Sequence, residues 1–538
     1  MQWFPYAVFL ALGVLAASAD AAPTQLTAQE ARHLLVRTGF APTHAQVQAI
    51  TGQSATRAVD DLLARAKTAK PLAPAPDFVG LPAPIPYNLM RTQEERQAAR
   101  QQQMREGLDL KTWWMREMIE SSAPLAERMT LFWHNHFATS QQKVVRSQAM
   151  WNQHQLLRQQ ALGNFRSLLH AVAKDPAMLV YLDGANSRKE APNENFAREV
   201  MELFTLGESG VGGGGYTEAD IKEAARAFTG WSIERDDFSF KFRPGFHDNT
   251  PKTLLGKTGN FDGDAALDVM LEQPAAARFI TAKLWKEFVS PQPDEQAVAV
   301  IALHFRASKY DLATVLRELL LSDAFWSQAN RGSLIKSPVD LVVGTVRQFG
   351  FRYTDATPFV LKSAQLGQNL LVPPNVKGWP GYTDWINATS LLERKRFTEQ
   401  LFRAVEFKAE AGRSLQTDMK NSMTPDMKSE MTPGNSRQTL LASFGADTTG
   451  PASTRAALNL LGREGVMRVA EGMAKITFDS DRFLALYGGH TDREPTLETK
   501  QALALDLLAQ AATQSIAPGT VGVAWLRMLT LDPAYQLK

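Results

Sequence analysis

Apolar residues recur at helical spacing along most of this 538-residue chain, which restricts it to a mainly α-helical fold. The pattern is strongest over residues 110–137, 265–289, 295–325 and 337–349. Strand-like alternation is confined to Phe238–Phe242, which predicts at most a small β-hairpin. We therefore expect a large multi-helix array with long irregular loops.

The segment Asn193–Trp231 is predicted to organise the chain as a helix, a glycine loop and a second helix. Its first helix starts at Asn193 and ends at Gly207, after which Gly212–Gly215 form a mobile loop. Thr217, followed three residues later by an aspartate, is close to a capping box and starts the second helix. This segment also contains the densest set of candidate site residues.

Glu199 and Glu202 lie three residues apart on the first of these helices and therefore share a face. Three interpretations are open. The pair belongs to a salt-bridged face with Arg198 and Arg226, or it supplies oxygen ligands to a metal. In the third interpretation the two carboxylates are catalytic, because like charges held close raise the pKa of one of them.

His134 and His136 lie at the end of the aromatic-rich pattern Leu110–Phe137. On an ideal helix the two side chains would point to nearly opposite sides, whereas on an extended segment they would share a face. If the helix ends near Trp133, both histidines face one site and form a candidate pair of metal ligands. The alternative is that each is a buried structural histidine.

Two irregular segments contain further candidates. His247 precedes Asp248 in a loop, where it is a metal ligand, a base or an exposed side chain. Residues 368–385 are rich in proline and aromatic side chains, among them Trp379 and Tyr382. Such a loop is costly to order unless it packs or functions, and aromatic rings in loops line sugar or ligand surfaces. The other interpretation, packing of the loop onto the helical body, is slightly favoured.

The composition excludes several classes of protein. Cysteine is absent, which excludes disulfide scaffolds, thiol catalysis, cysteine–zinc sites and iron–sulfur clusters. The formal net charge is +2 and no basic stripe is present, so we expect no nucleic-acid partner. The hydrophobic fraction of 44% is sufficient to bury a core.

Residues 1–21 are predicted to be a signal peptide. An apolar run over Tyr6–Ala17 is too short to span a bilayer comfortably, and Ala19-Asp20-Ala21 matches a small-residue cleavage site. An uncleaved anchor is the alternative, since no Lys or Arg precedes the run. No long apolar segment follows, so we expect a mature chain without a transmembrane segment, in the periplasm or outside the cell.

The mature chain is divided into three parts. Residues 22–411 are predicted to form a helical body, and residues 454–538 form C-terminal helices that pack on it. Residues 412–453 are polar, poor in aromatic side chains and contain a near-repeat around SMTPDMK and SEMTPG, which predicts a flexible low-complexity insertion.

A series of sequence blocks now allows a family to be recognised. In chain order they are TGFAPT, FWHNHFATS, NENFAREVMELFTLG, YTEADIKEAARAFTGW, FHDNTPKTLLG, ARFITAKLWKEFV, LIKSPVDLVVG, LGQNLLVPPNVKGWPGYTDWI and LTLDPAYQ. Together they resemble the DUF1800 family of exported bacterial proteins, over nearly the whole mature chain. The polar segment 412–453 lies outside the shared pattern.

The resemblance implies a large helical, secreted protein of unassigned function. Members of the family are often encoded beside an exported DUF1501 protein, which itself resembles the alkaline phosphatase and sulfatase superfamily. A DUF1501-like partner is therefore implied by the resemblance. The family resemblance supplies no catalytic residue, so the roles suggested for individual side chains rest on their chemistry.

The first functional hypothesis is an exported metal-dependent hydrolase. Imidazole and carboxylate ligands suit zinc, iron or manganese, and a metal-bound water would be the nucleophile, with a remaining glutamate as general base. The candidate metal ligands are His134, His136, Glu199, Glu202 and His247.

The alternative is a non-catalytic binding or assembly protein that acts with a DUF1501-like partner or holds a polysaccharide or other cell-surface polymer. The glutamates and histidines would then form a buried polar network. A metal-free glycosidase ranks third, because Glu199 and Glu202 on one helix turn are too close for the usual arrangement across a sugar.

Overall fold

The computed structural model describes residues 22–81, 91–209, 214–234, 236–403, 465, 468–469 and 471–538. The mainly α-helical fold is confirmed. The α-helices are α1 (Ala28–Thr38), α2 (His44–Ile50), α3 (Ala55–Thr68), α4 (Gln93–Glu120), α5 (Pro124–His136), α6 (Gln141–Val144), α7 (Ser147–Gln159), α8 (Phe165–Ala173), α9 (Pro176–Tyr181), α10 (Glu194–Glu199), α11 (Glu218–Ala227), α12 (Gly263–Glu272), α13 (Pro274–Phe288), α14 (Glu295–Ala307), α15 (Leu312–Leu321), α16 (Asp323–Trp326), α17 (Pro338–Phe349), α18 (Thr357–Gln365), α19 (388–403), α20 (Ser480–Ala485), α21 (Leu497–Leu507) and α22 (Gly522–Thr530).

Other helical turns are short. A π-helical segment, Val200–Thr205, directly continues α10. The 3-10 helices of the described residues are Asp77–Gly80, Gly184–Asn186, Pro244–Phe246, Gln328–Asn330, Tyr382–Trp385 and Pro533–Gln536.

Several helices begin at a capping box, as the sequence predicts at Thr217. The Thr27 hydroxyl accepts from the Glu30 N–H, and the Glu30 carboxylate accepts from the Thr27 N–H at 2.9 Å. The same reciprocal pair is present at Thr43, Thr217 and Ser337. These bonds satisfy backbone donors that the first helical turn leaves free, so short local motifs define where these helices begin.

Three of the long helical patterns, residues 110–137, 265–289 and 295–325, are each divided between two or more helices. Residues 110–137 divide between α4 and α5, because Pro124 occupies the first turn of a new helix. Pro274 likewise separates α12 from α13. The pattern over residues 295–325 is broken between α14 and α15, where the Asp311 side chain caps the start of α15. Proline lacks an N–H and therefore starts a helix more readily than it continues one.

The β-structure consists of two hairpins in the described residues. The predicted strand is β2 (Phe240–Phe242), which pairs antiparallel with β1 (Trp231–Ile233). A second hairpin, β3 (Lys252–Leu254) with β4 (Lys257–Gly259), was not predicted. Its strands are three residues long, too short for an alternating pattern to be recognised.

Buried apolar side chains form two clusters, and α5 contributes to both. Trp133 belongs to the cluster built largely from α8 and α10–α15. Leu131, two residues earlier, belongs to the cluster built from α4, α17, α18 and the C-terminal helices. The end of α5 therefore lies at the junction of the two clusters.

The C-terminal part contacts the body through buried bonds. Arg32 on α1 donates to the carbonyls of Asp506 and Leu507 at 2.7 and 3.2 Å. The Lys538 N–H donates to the Leu334 carbonyl at 2.7 Å. The predicted domain boundaries stay a prediction, and the signal peptide (1–21), the insertion (412–453) and Gly212–Gly213 lie outside the described residues. None of the described helices combines the length and apolarity that crossing a bilayer requires.

Candidate functional site

A cavity of about 490 Å³ lies at the end of α5, and we call it the basic cavity. Its walls come from α5, α13, the segment before α17, the loop 368–385 and Lys538. Lys377, Pro380 and Tyr382 at its rim are exposed, so it opens to solvent. Among its lining residues are two acids and five basic side chains, which are Arg128, Lys283, Lys286, Lys377 and Lys538.

His136 on α5 is held in one tautomer. Its Nε2 lies 3.2 Å from the Phe204 carbonyl, which can only accept, so Nε2 must donate. Nδ1 therefore has a lone pair, and it accepts a hydrogen bond from Lys283 Nζ at 2.9 Å. Burial, together with the charge of Lys283, holds the pKa of His136 well below its usual value, so the imidazole is neutral.

The Phe204 carbonyl is available because the organising segment ends its helix with a wide turn. Val200–Thr205 is π-helical, and the Leu206 N–H bonds to the Met201 carbonyl. Carbonyls at a helix end lack intrahelical partners, and the Phe204 carbonyl finds its partner in His136. π-Helical turns are frequent at functional sites. The predicted organising segment thus reaches the cavity through its backbone.

Lys283 and Lys286 lie one helical turn apart on α13 and both line the cavity. Within the described part of the chain no carboxylate is within ion-pair distance of either. Burial, then the charge of Lys286, lowers the pKa of Lys283 to about 8. Opposing this, the Phe279 ring lies 5.0 Å from Lys283 Nζ, where it favours the charged amine.

The floor of the cavity is an interlocked group of buried charges. Asp340, which is 1% exposed, accepts from Arg128 and, at 2.8 Å, from Lys538 Nζ. Arg128 also lies 3.2 Å from Glu287. The two cations overcome the effect of burial and keep the pKa of Asp340 well below its usual range. The floor cations, Arg128 and Lys538, are thus neutralised by neighbouring carboxylates, whereas Lys283 and Lys286 are not.

The aromatic loop forms the rim of the same cavity. Trp379, Tyr382 and Trp385 line it, and of these Trp379 and Trp385 are buried against the helical body. The loop is tied to α5 because Asn135 Oδ1 accepts from the Trp379 N–H at 2.6 Å. Gly378 makes this approach possible, since its φ is +88° and a Cβ there would overlap the Asn135 side chain.

His134 points away from its neighbour two positions on. Because α5 continues to His136, the two side chains are roughly 200° apart around the helix, and the condition for a shared site, a helix that ends near Trp133, is not met. The His134 ring lies between Trp114 and Trp379, at centroid distances of 5.5 and 5.7 Å. Neither ring nitrogen has a hydrogen-bond partner among the described residues. Burial lowers its pKa to about 4.

Glu199 and Glu202 lie near the rim but do not line the cavity. Burial, then the charge of Glu202, raises the pKa of Glu199, while Lys377 opposes the shift. Lys377 itself pairs with Glu208 at 2.9 Å. Arg198 pairs with Glu218 at 2.6 Å.

His247 lies in a separate environment beside the first hairpin. Its Nδ1 donates to the Thr229 carbonyl at 2.8 Å, and its ring meets Phe242 edge-on. The neighbouring Asp248 pairs with Arg226 at 2.7 Å. His247 is buried and is absent from the lining of the basic cavity.

Comparison with known proteins identifies the family. The model of a protein family described as "Protein of unknown function (DUF1800)" matches residues 33–537, nearly the whole chain. The chain belongs to the DUF1800 family. No curated protein and no solved structure matched it.

Blocks that gave the DUF1800 resemblance supply most of the cavity wall. FWHNHF contains His136, ARFITAKLWKEFV contains Lys283 and Lys286, and LIKSPVD contains Asp340. GQNLLVPPNVKGWPGYTDW contributes the aromatic rim. Four of these blocks therefore converge, and Lys538 lies two residues beyond the C-terminal block.

The five candidate metal ligands are not brought to one point in this DUF1800 chain. Of them, His136 alone lines the basic cavity. The described residues contain no group of three or more His, Asp or Glu side chains arranged to hold a metal ion. Metal binding and catalysis by Glu199 and Glu202 therefore stay predictions.

Sequence reasoning missed the lysines and the buried charges of the cavity. Lys283 and Lys286 are ordinary-looking residues of an amphipathic helix, and 147 residues separate Lys283 from His136. Arg128 and Asp340 are 212 residues apart. The available signal was the presence of Lys283, Lys286 and Asp340 within the family blocks, which did not indicate a shared site.

Proposed function

We propose that this protein is an exported binding protein whose basic cavity holds an acidic segment of a cell-surface polysaccharide. The observation that supports the proposal is the meeting of an un-neutralised lysine pair, Lys283 and Lys286, with the aromatic rim of the loop 368–385 in one solvent-open cavity. Export rests on the leader-like sequence of residues 1–21.

The charge of the cavity favours an anionic ligand. Five basic and two acidic side chains line it, a formal excess of three positive charges. Asp340 and Glu287 contact the floor cations Arg128 and Lys538, which leaves the α13 lysines to interact with a ligand. Carboxylates are matched to such ammonium groups through charge-assisted hydrogen bonds.

The aromatic rim favours a sugar over a simple ion. Tyr382 is 37% exposed at the cavity mouth, and Trp379 and Trp385 lie behind it. Large amphipathic rings offer flat apolar surface together with a polar edge, which suits the apolar faces and hydroxyls of a saccharide. The volume of about 490 Å³ is within the range of roughly 300–1,000 Å³ usual for small-molecule sites.

Calorimetric titration tests the proposal with three ligands of matched length. We expect an oligogalacturonate to bind, with an affinity that falls as salt rises, and a neutral cello-oligosaccharide to bind more weakly. Polyphosphate tests whether charge alone is sufficient. Equal affinity for the neutral and acidic saccharides, or no binding of either, would contradict the proposal, as would a clear preference for polyphosphate.

Matched variants locate the binding site. Lys286→Ala should weaken binding of the oligogalacturonate about tenfold or less, the range expected for one exposed charge, while Lys222→Ala on α11 should leave it unchanged. Tyr382→Ala should weaken binding of the saccharide more than that of polyphosphate. An unaltered affinity in both cavity variants would place binding elsewhere.

The other hypotheses remain open. The metal-dependent hydrolase and the pairing with a DUF1501-like protein are hypotheses that rest on the sequence alone. No contact in the described part of the chain favours either.

A further inference from the structure

We propose that a second, smaller cavity binds a linear alkanoate of about eight carbons, with its carboxylate at Lys111 and its alkyl chain running towards Met104. We call this site the apolar cavity. It has a volume of about 190 Å³ and lies between α4, α6, α18 and the start of the loop 368–385. It shares no lining residue with the basic cavity, so this inference goes beyond the proposed function and does not depend on it.

The lining of the apolar cavity favours a hydrocarbon chain. Most of the side chains that line it are apolar, among them Met104, Leu108, Val145, Val360, Leu361 and Val372. An alkyl chain gains free energy when it leaves water for such a surface. Apolar cavities of about 150 Å³ bind molecules of the size of benzene, so this slightly larger cavity has room for a short alkyl chain.

Two of the lining side chains, Met104 and Val145, are exposed, so the apolar cavity opens to solvent. Val145 has a φ of +62°, in the left-handed region that β-branched residues rarely adopt. A residue keeps such a conformation only where the surrounding structure holds it, and residues of this kind cluster at functional sites and ligand clamps. The conformation of Val145 therefore supports a binding role for this wall.

Lys111 provides the charge that a carboxylate would contact. It is the one charged side chain among the described residues that line the apolar cavity, and its Nζ donates to Asn369 Oδ1 at 2.8 Å. Within the described part of the chain no carboxylate lies within ion-pair distance of it. Burial lowers the pKa of Lys111 to about 8, so the amine is still mostly charged at pH 7. An ammonium group has further N–H donors beyond the one that Asn369 accepts, and these match a carboxylate.

The spacing of Lys111 and Met104 sets the length of the ligand. They lie seven residues apart on α4, so they share a helix face and are separated by about 10 Å along the helix axis. Gly107 and Leu108, which lie between them, also line the cavity. An extended chain of single bonds advances roughly 1.2 Å per bond, because three backbone bonds span at most about 3.6 Å. An alkanoate of about eight carbons therefore reaches from Lys111 to the mouth.

Contacts within the fold hold the walls of the apolar cavity in place. The Gln141 N–H donates to the Leu371 carbonyl at 2.9 Å, which ties α6 to the loop 368–385. Gly107 allows α6 to approach α4, since a Cβ there would overlap the Gln141 side chain. The Gln141 amide thereby lines the cavity one helical turn from Lys111 along α4 and offers another donor for a carboxylate. Walls that are formed in advance reduce the cost of ordering on binding.

Calorimetric titration of the full-length chain with sodium octanoate tests the proposal. We expect one equivalent to bind. Octanol, which has the same chain without the charge, should bind at least about tenfold more weakly, the value of a hydrogen bond to a charged group. Butanoate should bind more weakly by up to about fourfold for each methylene removed. Equal affinity for octanoate and octanol, or no binding of octanoate, would overturn the proposal.

Two cavity variants locate the bound chain. Lys111→Met keeps the apolar stem and removes the charge, so it should weaken octanoate binding at least about tenfold and leave octanol binding unchanged. Lys222→Met on α11 is the matched control. Ala364→Phe fills the cavity and should abolish binding of both ligands in a chain whose circular dichroism is unchanged. Octanoate that binds both cavity variants as it binds the unaltered chain would overturn the assignment.

The variants also separate this site from the basic cavity. Lys111→Met should bind oligogalacturonate as the unaltered chain does, and Lys286→Ala should keep its affinity for octanoate. If Lys286→Ala lost octanoate binding while Lys111→Met kept it, the carboxylate would lie in the basic cavity and the proposal would be overturned. Failure of oligogalacturonate to bind would contradict the proposed function and leave the octanoate site standing.

Discussion

Asn135 Oδ1 accepts a hydrogen bond from the backbone N–H of Trp379 at 2.6 Å, across 244 residues of sequence. This bond fastens the proline- and aromatic-rich loop to the end of α5, where His136 faces the basic cavity. The rim of the cavity and its histidine are therefore positioned by one contact, which gives the loop a rigid base.

Gly378 should be indispensable to that contact. Its φ is +88° and an added Cβ would overlap Asn135, so we expect Gly378→Ala to lower the free energy of unfolding by about 1–3 kcal/mol. Urea unfolding measures the change. Gly381→Ala is the matched control, since a Cβ at Gly381 meets nothing within 4 Å. Equal effects of the two substitutions would contradict the prediction.

Asp340 should stabilise the fold through its charge. Asp340→Asn leaves Arg128 and Lys538 buried with less compensation, and we expect a loss of about 3 kcal/mol at pH 7 by urea unfolding. The exposed Asp492→Asn is the control.

The free energy of unfolding that Asp340 contributes should depend on pH. The folded pKa of Asp340 lies below the unfolded value of about 3.9, so its stabilisation is complete above that value and is lost as pH falls towards the folded pKa. The difference in free energy of unfolding between Asp340→Asn and the unaltered chain should therefore become smaller below about pH 4. If this difference in free energy stayed constant with pH, packing and not charge would account for the stability lost in Asp340→Asn.

Buried neutral histidines should make the chain sensitive to mild acid. Burial lowers the pKa of His134 to about 4 and holds that of His154 well below its usual value. The unfolded chain, with histidine pKa values of about 6.5, binds more protons than the folded chain between these limits. The free energy of unfolding should therefore fall as pH falls from about 6.5 to about 4.

Urea unfolding at several pH values measures this slope. His134→Gln should reduce it by at most about 1.4 kcal/mol per pH unit, the contribution of one proton, whatever its effect on stability at pH 7. The exposed His490→Gln is the matched control. A slope that His134→Gln does not change would mean that His134 is protonated equally in both states.

Metal content tests the hydrolase hypothesis directly. If Glu199 and Glu202 are ligands, the chain purified without a metal affinity column should carry stoichiometric zinc, iron or manganese by elemental mass spectrometry. Glu199→Ala combined with Glu202→Ala should then lose the metal and keep its circular dichroism. A metal-free, folded and saccharide-binding chain would speak against that hypothesis, and unfolding of the double variant would assign these glutamates a structural role.

Local chemistry explains what could be predicted about the elements. A capping box joins residues three positions apart, so it can be recognised in the sequence. The structure contains such pairs at Thr27, Thr43, Thr217 and Ser337. Pro124 and Pro274 also mark the breaks before α5 and α13 in the sequence, because proline starts a helix more readily than it continues one.

Sequence by itself determined the helical class, several helix starts, the family and the identity of the candidate side chains. Tertiary structure decided which of them meet, since Lys283 reaches His136 over 147 residues and Arg128 reaches Asp340 over 212. It also separated His134 from His136, because α5 continues through both. Helical periodicity is set by contacts within a few residues, whereas a cavity is formed by packing between distant helices, which no local pattern records.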